Sequence, residues 1–80
     1  MKLPRDLSGA ELAKCLERLG YSISRQTGSH MRLTTVIQGE HHVTIPNHPV
    51  LKVGTLVGIL GDVAIHFQMS RQVLLEKLFP

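Results

Sequence analysis

Leu12, Cys15, Leu16 and Leu19 recur at i, i+3, i+4 and i+7, the spacing of one apolar stripe along a helix. Ser8 stands just before this stretch and Glu11 three residues later, a capping box in which each side chain satisfies the other's free backbone donor. Leu7 and Leu12 fall at the two positions of a hydrophobic staple. Gly20 ends the helix. The period then changes from helical to alternating. Tyr21 and Ile23 alternate with Ser22 and Ser24, and Met31, Leu33 and Thr35 alternate with His30, Arg32 and Thr34. Thr27-Gly28 marks the turn between these two strands. A third strand, His41 to Ile45, follows the turn Gln38-Gly39-Glu40 and stops at Pro46. Beyond the breaker Pro46-Asn47-His48-Pro49, helical spacing returns. Thr55 is the expected N-cap of a helix whose inward stripe is Leu56, Ile59, Leu60, Val63 and Phe67. Ser70 caps a last helix that should turn Val73, Leu74, Leu78 and Phe79 inward. The pattern predicts an α+β fold: helix, three-stranded antiparallel sheet, helix, and a short C-terminal helix, with the helices on one sheet face.

Eighty residues suffice for a single domain, 1–80, but not for a deep enclosed site, so chemistry should sit on an open face. The net charge of +3 permits contact with a polyanion without demanding it. One cysteine, Cys15, excludes an internal disulfide and fits a reducing cytoplasm. Its place on the first helix's stripe suits a small buried hydrophobe better than a nucleophile. No apolar run reaches the ~20 residues of a membrane span, and the first residues lack the apolar region of a secretory signal. No membrane partner is expected.

The densest chemistry lies in Arg25 to Thr34. On an alternating strand His30 shares the outward face with Arg32 and Thr34. An imidazole can both take and give a proton near neutral pH. RNA carries its own nucleophile in the 2′-hydroxyl, so a positioned base or acid accelerates its cleavage, and cations offset the charge that develops on phosphorus. Arg25 and Arg32 flank the turn and would supply them. Taken alone, one exposed histidine on a hairpin is equally an ordinary surface residue. His41 and His42 are adjacent on a strand and point to opposite faces, so they cannot chelate together, and no metal site is expected. Ser29 beside His30 lacks an acid to orient the ring. Gly54-Thr55 with Lys52 before it could hold a phosphate on backbone N–H groups, although a plain cap explains it as well.

Together these residues resemble the HicA (YcfA-like) family of toxin ribonucleases. The resemblance is carried by Arg25 to Leu33 with Gly28-Ser29-His30 at its centre. It continues through His42-Val43-Thr44-Ile45-Pro46 followed by His48, and through Gly54-Thr55-Leu56 with Ile59-Leu60. It implies a fold like that of the double-stranded RNA-binding domain (dsRBD), and metal-independent cleavage of messenger RNA (mRNA) with His30 as the catalytic residue. Arg25, Gly28, Ser29, Arg32, His48 and Lys52 would bind RNA. No cofactor is implied, and the expected partner is a HicB-type antitoxin that covers the site. Many relatives carry Lys or Arg on the outward face of the second helix, where this chain has Val57, Gly58 and Gly61. Phosphate contact then falls to the arginines, Lys52 and the histidines. A non-catalytic RNA-binding module of the same fold, or an inactive partner-binding relative, is the alternative.

Overall fold

The computed structural model describes residues 3–80. Helix α1 runs Gly9–Leu16 and tightens into a 3₁₀ turn over Glu17–Leu19. Strands β1 (Ser22–Gln26), β2 (His30–Thr35) and β3 (His41–Pro46) form one antiparallel sheet in chain order. Helices α2 (Val53–Phe67) and α3 (Arg71–Leu78) complete the chain. The architecture is the α+β, dsRBD-like arrangement expected from the pattern, with the three helices gathered on one face of the sheet.

The capping box forms as written: Glu11 N donates to Ser8 Oγ at 3.0 Å and Ser8 N donates to Glu11 Oε1 at 2.9 Å. The Ser8 N–H, and then its hydroxyl, hold the Glu11 carboxyl below its usual range. Gly20 ends the 3₁₀ turn in the left-handed region at φ 82°. A Cβ there would strike the Ile37 side chain at 2.4 Å, so only glycine fits. The buried line of α1 is Gly9, Leu12, Ala13 and Leu16, with Cys15 and Leu19 only half-buried. The expected stripe was thus rotated by about one position. Gly9 sets the rotation, because it lies against the end of β3 and brings Leu12 and Ala13, not Cys15, over the sheet.

Met31, Leu33, Thr35, Val43 and Ile45 face the helices and are buried, while His30, Arg32, His42 and Thr44 lie on the opposite, exposed face. Thr35 Oγ1, buried with them, donates to Leu19 O at 3.0 Å and so meets its need for a partner. On α2 the stripe Leu56, Ile59, Leu60, Val63 and Phe67 is buried as predicted. Its N-cap is Lys52 rather than Thr55, and Gly54 and Thr55 lie in the first turn. On α3, capped by Ser70, the buried set is Leu74, Leu75 and Leu78. Leu74 and Leu78 are buried as expected and half-buried Phe79 packs against the core, whereas Val73 is 42% exposed and Leu75 takes its place. An eight-residue helix with apolar residues at 73, 74, 75, 78 and 79 has two overlapping stripes, and packing on α2 selects one. Among the described residues no single helix is long and apolar enough to cross a membrane.

Candidate functional site

The hairpin joining β1 to β2 is closed by Thr27. Its N–H donates to His30 O at 2.9 Å, and its hydroxyl accepts from His30 N at 3.2 Å. His30 therefore starts β2 with its main chain held twice. Gly28 takes no positive φ, and a Cβ on it would meet nothing within 4 Å. The turn lies where Thr27-Gly28 placed it, and its shape does not require glycine. What Gly28 leaves is open space at the hairpin tip.

The His30 ring is exposed, with Ser29 Oγ 2.9 Å from its Nδ1. That contact occupies one ring nitrogen and leaves Nε2 free to meet a substrate. Simple alternation would send Arg25 to the same side as Tyr21, toward the core. The register shifts between Ile23 and Arg25, so that Ser24 is surplus and Arg25 pairs directly with Arg32. This β-bulge turns Arg25 out beside Arg32 on the face that carries His30. The bulge is held by the Ser24 hydroxyl, 3.2 Å from Arg32 O and 2.8 Å from Thr34 Oγ1. Neither arginine forms an ion pair among the described residues, where the close ion pairs are His41 with Asp62 and His42 with Glu40. Two guanidinium groups paired across the strands with no carboxylate partner have the charge and donor geometry that suit an anion.

His48 is exposed just past β3, and Lys52 is exposed at the start of α2. Gly28, Ser29, Arg25, Arg32 and His48 thus surround the hairpin end of the sheet, whereas Lys52 lies farther along the loop that leads into α2. The sheet surface is open. A groove of about 560 Å³ is lined by Leu7, Glu11, Lys14, Cys15, Glu17 and Arg18. A second, of about 410 Å³, lies between the N-terminal segment and α2, and neither includes His30. Burial pushes the Cys15 thiol up, against the pull of Arg18, which leaves it a poor nucleophile.

The other histidines have separate places. His42 Nδ1 lies 2.7 Å from Thr34 Oγ1 and its Nε2 2.9 Å from Glu40 Oε2, on the same face as His30 but at the far end of β2. Four residue steps, roughly 14 Å at about 3.4 Å each, separate Thr34 from His30, so His42 does not share a phosphate with it. On the inner side His41 Nδ1 lies 2.7 Å from the Tyr21 hydroxyl, and its ring stacks on His66 at 4.4 Å. His66 Nε2 donates to Ile37 O at 3.0 Å. This aromatic cluster, which the sequence reading missed, ties the β2–β3 turn to α2. No signal in the chain links positions 21, 41 and 66 before the strands are paired. Among the described residues no group of three or more His, Cys, Asp or Glu side chains is placed to hold a metal ion.

No curated protein and no solved structure matches the chain. A family model described as the HicA toxin of bacterial toxin-antitoxin matches residues 9–65, well over half of the chain. The matched span takes in α1, the whole sheet with the His30 hairpin, and α2 up to Ile65, and leaves α3 outside. With that match and this fold, the chain belongs to the HicA toxins, the toxic half of a bacterial toxin–antitoxin pair.

Proposed function

We propose that this toxin is a metal-independent endoribonuclease that cleaves mRNA in the cytoplasm, with His30 in proton transfer. The reading is carried by one arrangement: an exposed imidazole whose Nδ1 is held by Ser29, on the same face as two arginines opposed without a carboxylate. Arg25, Arg32, Ser29 and His48 hold the backbone phosphates, and Lys52 extends the cationic track. Gly28 allows the RNA backbone to approach the hairpin tip closely. These contacts are to phosphate and sugar, so they fix position and confer no base preference. The partner in the toxin–antitoxin pair is a HicB-type antitoxin that covers this face.

The test is purified protein with RNA in the presence of EDTA. Wild type should give fragments ending in a 2′,3′-cyclic phosphate, and His30→Ala should lose roughly 10²–10⁴-fold in rate while melting like wild type. A folded His30→Ala variant that cleaves at the full rate would remove the catalytic role. Retention of RNA by a wild type that never cuts it would leave a binding module of the same fold.

A further inference from the structure

Attack of a 2′-hydroxyl on the neighbouring phosphate involves two proton transfers, one off the attacking oxygen and one onto the departing 5′-oxygen. His30 supplies one. The ladder between β2 and β3 points to the source of the other. Pairing does not stop with His30 and Pro46: Asn47 N donates to Ser29 O at 2.8 Å, which carries the register one step further. Pro46, with no N–H, occupies a position where an antiparallel ladder calls for none. β3 ends at Pro46, but with Asn47 still paired, extended geometry carried one residue further would give His48 the outward parity of Pro46, Thr44 and His42. A side chain at that position would stand diagonal to His30, roughly 7–8 Å away in ordinary sheet geometry, a gap that a phosphodiester bridges.

The main chain at His48 is also fixed. Its carbonyl accepts from Gly9 N at 3.0 Å. Gly9 sits so close to β3 that a Cβ on it would come within 2.1 Å of Pro46 O. The start of α1 thus clamps the backbone from Pro46 to His48, while the imidazole of His48 remains exposed. Such a side chain has a defined place and no packing role.

We propose that His48 is the second proton-transfer group and forms an acid–base pair with His30 across one phosphate. This rests on the ribonuclease reading above and adds to it. One ring enters neutral and takes the 2′-hydroxyl proton as the 2′-oxygen bonds to phosphorus. The other enters protonated and gives its proton to the 5′-oxygen as the bond from phosphorus to that oxygen breaks. The products are a 2′,3′-cyclic phosphate and a free 5′-hydroxyl. No proton is gained or lost overall, and the two rings finish with their protonation exchanged, to be reset through water.

The experiment measures kcat and KM on a short RNA oligonucleotide across pH, for wild type, His30→Ala, His48→Ala and His48→Gln. Thermal melts verify that each variant is folded. Both His48 variants should lose roughly 10²–10⁴-fold in kcat with KM little changed, and the bell-shaped pH profile should keep only one limb. Glutamine can hydrogen-bond a phosphate but cannot relay a proton, so it decides the matter even where alanine disturbs the loop. Raised KM at unchanged kcat, rescue by glutamine, or a profile with both limbs intact would reduce His48 to a phosphate contact. Wild-type cleavage that His30→Ala abolishes and His48→Ala spares would overturn this pairing alone. RNA left whole by wild type would remove the ribonuclease reading together with it.

Discussion

Two guanidinium groups facing each other across a strand pair repel, by roughly 0.2–1 kcal/mol relative to a neutral pair. Arg25 and Arg32 are in that position, and the strain is relieved when an anion lies between them. Arg25→Gln should therefore raise stability to denaturant by a few tenths of a kcal/mol up to about 1. It should also weaken RNA binding and lower the slope of log affinity against log salt by about one. RNA titrations in the His30→Ala background separate binding from cleavage, and a loss of stability would show instead that Arg25 serves the fold. The sequence names Arg25 as flanking the turn, but strand parity alone does not explain how it reaches the outward face. Ser22 and Ser24 are both polar, so alternation runs on undisturbed through the surplus serine, and parity sends Arg25 inward. His30 and Arg32, by contrast, were legible, because Met31, Leu33 and Thr35 fix the phase of their strand and nothing interrupts it.

Glycines in α1 and α2 show how context reverses the sign of one substitution. Gly58 and Gly61 meet nothing within 4 Å where a Cβ would go. Alanine there should stabilise α2 by roughly 0.5–1 kcal/mol each, through lost freedom of the unfolded chain and better helix propensity. Gly9→Ala should do the reverse, costing roughly 1–3 kcal/mol as α1 is pushed off Pro46. Because that contact also clamps the loop bearing His48, cleavage should fall by more than the melting point alone explains. Chemical denaturation of the three variants, with cleavage rates beside it, checks both signs. At this scale the helices were readable where a cap and a stripe agreed, as in Ser8 with Glu11 and in the stripe of α2. They were misplaced where the signal was degenerate. Lys52 caps α2 without a side-chain bond, and consecutive apolar residues in α3 leave its rotation to be decided by α2.

Tyr21 ties the molecule together, since it is 2% exposed and reaches His41 on β3 while packing edge-on to Phe67 of α2. Its phenol is pushed up to about 12 by burial, with Asp62 adding to the effect. The folded state thus holds the neutral phenol, whereas the unfolded chain ionises near 10. The resulting stability is complete below about pH 10 and drains away as pH rises through about 12. The chain has one tyrosine and no tryptophan, so phenolate absorbance reports this group alone. Its appearance should coincide with loss of helical circular dichroism, and ionisation near 10 in a folded protein would contradict it. The outer face of the sheet, with His30, Arg32, His42 and Thr44, is exposed among the described residues, and the two grooves described above lie elsewhere. A polymer can settle on such a plane by its middle as readily as by its tip, with no tunnel to thread and no terminus to find. On the ribonuclease reading proposed above, a long transcript with both ends occupied would be no less open to attack than a bare fragment.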